Sequence, residues 1–137
     1  MADIIVTAAN VQPGAGAVIN RSYNFGAAVL AGQSVYLDTD TNTWKLCDAD
    51  ASAAAAALGG IAMHGGANGQ PAAVLTGGRY TVGGTVAVGE IYVGSGNPGG
   101  IAPKADLATA DWVSILGIGV SATQIAVQIQ VSGVQVP

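Results

Sequence analysis

The sequence predicts an all-β domain, a small β-barrel or β-sandwich of short strands with one short Ala-rich helix. Three observations lead there. Short runs rich in Val, Ile, Thr and Tyr recur along the chain, each closed by Gly, Asn, Asp or Pro. Only one segment, at Ser52–Leu58, has the composition of a helix. The apolar half of the 137 residues is mostly Ala and Val, with one Phe, two Trp and two Met. Such small residues let backbones pack closely but leave few large anchors for a core.

Taken in order, residues 1–20 open with the β-like run Ile4-Ile5-Val6-Thr7 and reach the punctuation Pro13-Gly14-Ala15-Gly16. They form either a first strand or an arm that orders only against a partner. Residues 21–137 make the single β domain. Ser34–Leu37 and Trp44–Cys47 are strands, and the polar link Asp38-Thr39-Asp40-Thr41-Asn42 between them suits a hairpin. Ser52–Leu58 is the helix: Asp50 or Ser52 can cap it, its interior is nearly all Ala, and Gly59-Gly60 stops it. Two turns are unstable alone in water, so it must pack on the β body. Ile61–Met63 leads into a loop at His64–Gln70. Ala72–Thr76 and Arg79–Val82 follow as separate strands with Gly77-Gly78 between them. Glu90–Val93 precedes the loop Gly94–Gly100, and Asp106–Asp111 reads as a turn or a single helical turn. Trp112–Leu116 and Gln124–Val131 are the clearest strands. In the last, Ile125, Val127, Ile129 and Val131 alternate with Ala126, Gln128 and Gln130, which makes one apolar face.

Two stretches echo each other at an offset of about 56 residues. Ala31–Leu37 resembles Val88–Val93, Gly60–Met63 resembles Gly117–Val120, and Ala73–Gly77 resembles Ile129–Gly133. Duplication would make two related halves, about 26–80 and 83–137. The alternative is that Gly- and Val-rich β sequence matches itself easily.

The totals bound the function. Four Lys+Arg against eight Asp+Glu give a net charge of −4, too few scattered cations to track phosphates, so no nucleic-acid partner is expected. No apolar run is long enough for a spanning helix, and no basic amphipathic stretch addresses a membrane surface. The N-terminus has no positive n-region, so no secretory signal is read. One cysteine, Cys47, cannot form an internal disulfide; it reads as a small buried apolar residue of a chain made in a reducing compartment. With so few large side chains a lone monomer would be marginal, and neighbouring subunits are expected to help.

No catalytic set emerges. His64, the only histidine, sits beside Gly65-Gly66 without a companion acid or nucleophile and reads as a structural loop residue. Asp38, Asp40 and Asn42 stand at alternate positions like the start of a calcium loop, but Thr43 and Ala49 occupy the places that need Gly and a bidentate acid. The segment therefore reads as a β-turn with Asx hydrogen bonds. The glycine pairs lack the following Lys-Ser/Thr of a phosphate loop, and Gly94-Ser95-Gly96 lacks the spacing of a nucleophile elbow. No metal, cofactor or small-molecule substrate is expected. The large rings remain: Trp44, Trp112, Tyr36, Tyr92 and Phe25 are the candidate packing or interface anchors, core plugs or contacts between subunits.

The runs Ala31–Asp38, Lys45–Asp50, Leu58–Ala62, Ala67–Pro71 and Gly99–Pro103 resemble small tailed-phage head proteins, the capsid decoration or cement family, over roughly residues 26–133. The resemblance implies a non-enzymatic virion protein on the outer capsid surface, made in the host cytoplasm. It would be a homotrimer at three-fold positions that staples the major capsid protein, with a segment near Ala2–Asn20 reaching onto the shell. The scarcity of large apolar residues near the N-terminus departs from that pattern. The alternative is a phage tail or fibre-associated structural or receptor-binding module, although no shaft or coiled-coil lead-in is visible and the loops lack aromatic sugar platforms.

Overall fold

The computed structural model describes residues 3–137; Met1 and Ala2, the start of the predicted arm, lie outside the described residues. Its strands are β1 (Val11–Pro13), β2 (Val18–Asn20), β3 (Asn24–Phe25), β4 (Ser34–Asp38), β5 (Thr43–Leu46), β6 (Gly60–Ala62), β7 (Val74–Val82), β8 (Ile91–Gly94), β9 (Ile101–Pro103), β10 (Trp112–Gly119) and β11 (Gln124–Gln135). One helix, α1 (Ala53–Ala56), and single 3-10 turns at Ala8–Asn10 and Lys104–Asp106 complete the described elements. The class is all-β with one short helix, in a sandwich-like arrangement.

The helix starts where its cap is. The Ser52 hydroxyl accepts the Ala55 N–H at 3.1 Å, which satisfies one of the orphan donors of the first turn. It ends earlier than predicted, at Ala57 rather than at the Gly59-Gly60 pair. The chain must extend again there, because the Gly59 N–H bonds the Val35 carbonyl at 2.8 Å and Gly60 opens β6.

Strand β7 organises the molecule. Tyr80 and Thr81 have β1 on one side and β11 on the other; Val74 and Leu75 have β2 on one side and β6 on the other. One strand thus belongs to two sheets. The first contains β1, the C-terminal half of β7, β11, β10, β8 and β9. The second contains β2, the N-terminal half of β7, β6, β4, β5 and β3. Gly77-Gly78 lies at the changeover. The sequence reading placed a turn between two strands there, whereas the pair is a bend inside one strand. Gly78 has φ +85°, and a Cβ on it would run into the Gly16 carbonyl, so the bend needs glycine twice over.

The pairing order of β5-β4-β6-β7 is repeated by β9-β8-β10-β11, and the two series meet where β7 pairs with β11. The residue matches do not follow this order throughout. Val35 faces Gly60, but Tyr92, not Ile91, faces Gly117, so Tyr92 stands where Val35 does and Tyr36 points to the opposite face. Leu75 faces Ile61, whereas Val131 faces Ser114 rather than Ile118. Matching by residue type ignores which face a strand residue uses, and a slip of one residue reverses it.

The main core lies between the sheets: Leu58, Ile61, Leu75, Tyr80, Val82, Tyr92, Leu116, Ile125 and Val127 pack together with Cys47. Strand alternation places the neighbours Ala62 and Val74 on the far face of the second sheet, where they join Phe25, Val29, Val35 and Trp44 in a smaller cluster under the segment around Tyr23. The second sheet therefore carries buried side chains on both faces.

Two other expectations are corrected. Ile4–Thr7 is extended but forms no ladder: the Ile4 N–H bonds the Ile101 carbonyl and the Thr7 N–H bonds the Gly83 carbonyl, each at 2.8 Å. β-propensity without a continuous neighbouring edge makes no strand. Ile125 and Val127 are buried as the alternation predicts, but Val131 is 47% exposed, beyond the point where β11 loses β7 as its neighbour.

Candidate functional site

The N-terminal segment, predicted as a strand or a partner-dependent arm, is held against the chain's own body. Its two backbone bonds carry it from β9 to the turn after β7. At its start the Asp3 carboxylate accepts the Ser95 hydroxyl at 2.7 Å and the Asn97 amide at 3.1 Å. The side chains of Ile4 and Val6 pack against the main core, while Ile5 turns outward and is 87% exposed. Alternation along an extended segment produces this in–out–in pattern.

Asp3 also borders an open hollow of about 550 Å3, shared with Asp50, Ser95, Asn97, Asp106 and Asp111. Half of the chain's eight acidic residues thus meet at one place. Asp111 is buried and accepts the Ala108 N–H at 2.9 Å, which closes the 108–111 turn. The Asp50 carboxyl is raised above its ordinary range by its hydrogen bond to Asp48 and by that neighbour's charge. Among the described residues no group of three or more His, Cys, Asp or Glu side chains is arranged to hold a metal ion. Asp3 ties the N-terminal segment to the loop after β8, and Asp111 closes its own turn. Sequence reasoning missed the first tie, since Asp3 lies 92 residues from its partner Ser95 and no local pattern joins them.

The five predicted anchors separate. Phe25, Trp44 and Tyr92 are buried and plug the protein's own core. Trp44 packs edge-on against Tyr23 with ring centroids 6.3 Å apart, and the Tyr92 hydroxyl accepts the Ala87 N–H at 2.8 Å. Tyr36 on β4 and Trp112 at the start of β10 are half-buried, and these two rings remain accessible from outside. The largest fully buried side chain is Tyr80, outside the predicted set. It sits on β7 where both edges of the strand are paired, a position that only the topology defines.

The other residues weighed in the sequence sit in local contacts. His64 is exposed, its ring set edge-on to Phe25 at 5.5 Å and its Nδ1 2.9 Å from the Gly65 carbonyl oxygen. Asp38 caps its own turn by accepting the Asp40 N–H at 3.0 Å and pairs with Lys45 at 2.7 Å across the hairpin. That Lys45 hydrogen bond is the main reason its carboxyl lies below the ordinary carboxylate range. Asp48 closes a second Asx turn by accepting the Asp50 N–H. Cys47 is fully buried, and desolvation pushes its thiol up to about 12. No helix among the described residues is long and apolar enough to cross a membrane.

A second hollow, of about 490 Å3, lies on the outer face of the first sheet, where Ile91, Ile115, Ile118 and Val120 meet Ala126 and Gln128. Gln128 and Gln130 of β11 supply its polar side. No family model, curated protein or solved structure matches the chain.

Proposed function

We propose that this protein is a non-enzymatic virion component, a capsid decoration protein that sits on the outer surface of a major-capsid-protein shell and stabilises it. The resemblance of residues 26–133 to tailed-phage cement proteins is the starting point. The observation that carries the reading further is the exposure of Ile5. A large apolar side chain that is 87% exposed, on a segment fixed by backbone bonds at Ile4 and Thr7, is available to an outside surface without rearrangement of the chain. It belongs to the N-terminal stretch that the resemblance assigns to the shell contact.

Binding only to the assembled shell stabilises that shell by linkage, since the free subunits gain nothing. The test is co-sedimentation of the purified protein with assembled capsid shells and with free capsid subunits. Retention by shells alone, weakened at least tenfold by Ile5→Asp, is the expected result. Equal binding to free subunits, or unchanged shell binding by Ile5→Asp, overturns it.

A further inference from the structure

We infer that the N-terminal segment Asp3–Thr7 is an exchangeable strap, and that the groove holding it also accepts the same segment of a second copy. The inference is independent of the capsid reading. It begins with the groove, which is built around an extended peptide. A Cβ on Gly84 would run into the Ile5 carbonyl, and the three atoms nearest to it all belong to Ile4 and Ile5. Gly84 has no positive φ, so close passage of the strap is what glycine serves there. A Cβ on Gly100 would likewise meet the Asp3 carboxylate. At one end of the groove the Ser95 hydroxyl and the Asn97 amide donate to that carboxylate. At the other end the Gly83 carbonyl accepts the Thr7 N–H. Between them Ile4 and Val6 pack against the main core. The groove thus selects an acid, an aliphatic residue, any residue and a second aliphatic residue, in extended backbone.

The strap is separable from the body. It joins no β-ladder, and hollows of about 190 and 480 Å3 run beside it, one towards Leu30 and Gln33 and the other towards Gly84 and Pro103. Asp3 and Ile4 border both hollows. The residues that follow make a hinge. Ala8–Asn10 is a single 3-10 turn, exposed throughout, with no side-chain cap from Thr7. Two backbone bonds close it, from the Asn10 N–H to the Thr7 carbonyl at 3.0 Å and from the Val11 N–H to the Ala8 carbonyl. Opening the turn hands these groups to water, and three extended residues then span about 10 Å. Beyond the hinge, β1 is fixed to β7 from Val11 to Pro13.

The groove also names its occupant. A second copy carries the identical segment, so every hydrogen bond and apolar contact of the closed form is reproduced when two copies trade straps. The two forms differ in the hinge and in the entropy of association, which makes exchange a low-cost route to a dimer. Local concentration sets the balance between them.

The experiment mixes two full-length folded proteins, one carrying Asp3→Cys and the other Ser95→Cys, over a concentration series, and then oxidises them with diamide. Ser95 is 5% exposed, so a thiol there is reached through the groove. Cys47 is buried and common to every mixture. The expected result is a disulfide-linked pair of unlike copies whose yield rises with concentration. Its yield should exceed by about tenfold that of Asp3→Cys mixed with Thr39→Cys, an exposed turn position. A second pair, Ile5→Cys with Thr85→Cys, borders one of the hollows and keeps Asp3 intact; it should behave in the same way against its own Thr39→Cys control. Gly84→Ala tells donor from acceptor. Placed in the Ser95→Cys copy it obstructs the groove and should abolish the link; placed in the Asp3→Cys copy it should leave the link in place. No excess over the control in either cysteine pair overturns the inference. So does a link that is indifferent to which copy carries Gly84→Ala.

Discussion

Individual side chains show how a core of small residues is held together, and where it is imperfect. Tyr80 is the largest fully buried side chain, yet its hydroxyl has no hydrogen-bond partner in the structure. The Trp44 Nε1 is in the same position. A buried hydroxyl left unpaired costs free energy without contributing to the packing of its ring. Tyr80→Phe keeps the ring and removes the cost, so it should raise stability by about 1 kcal/mol, read as a higher urea midpoint with unchanged slope. A loss of stability would mean that the hydroxyl is satisfied. Cys47 supplies the pH dependence. Its thiol is raised from 9.0 to about 12, chiefly by burial, so the folded state holds the proton more tightly than the unfolded chain does. The stability from this site is therefore complete below pH about 9 and is lost as pH rises toward about 12. Burial also raises the Tyr80 hydroxyl, and the two groups act in the same sense. The measurement is the alkaline loss of unfolding free energy in the parent and in Cys47→Ala. The variant should lose less; equal losses would refute the assignment to Cys47.

At the level of the strand, the bend in β7 carries the largest consequence. Gly78 has a positive φ, and a side chain there would collide with the Gly16 backbone. Gly78→Ala should destabilise by roughly 1–3 kcal/mol, more than Ala at Gly77, where a Cβ would meet only Val18 at 4.0 Å. Comparing the two variants by thermal unfolding checks this, and equal effects would deny the bend its special role. The same bend explains what was legible in the sequence and what was not. Ser34–Leu37, Trp44–Cys47 and Glu90–Val93 were readable because β-branched and aromatic residues stand between turn residues, and the Ser52 cap was readable because capping is local. Gly77-Gly78 misled because a glycine pair signals a turn locally, while its role here is to let one strand change partners. β1, β2 and β9 are three residues each and too short to show a period. The site around Asp3 was invisible for a different reason, since Ser95 and Asn97 reach it only through the fold.

For the molecule as a whole, sharing β7 between the two sheets makes them one cooperative unit. Cys47, Leu58, Ile61 and Leu75 from the second sheet side and Leu116, Ile125 and Val127 from the first pack in one cluster. Unfolding either sheet would therefore strip apolar cover from the other as well as half of β7's hydrogen bonds. The two tryptophans report on the two sheets separately. Trp44 lies in the smaller cluster on the outer face of the second sheet, and Trp112 starts β10 in the first, its N–H bonded to the Ala49 carbonyl at 2.8 Å. Each single-tryptophan variant, Trp44→Phe and Trp112→Phe, can be unfolded in urea while fluorescence and far-ultraviolet circular dichroism are followed on the same sample. Comparison within a variant removes the effect of the substitution on absolute stability. The expectation is that fluorescence and dichroism coincide in both variants, because each ring loses its surroundings only when β7 is lost to both sheets. If Trp44 moved first in the Trp112→Phe protein while dichroism lagged, the second sheet would be an independent unit, and the bend at Gly78 would join two domains instead of organising one.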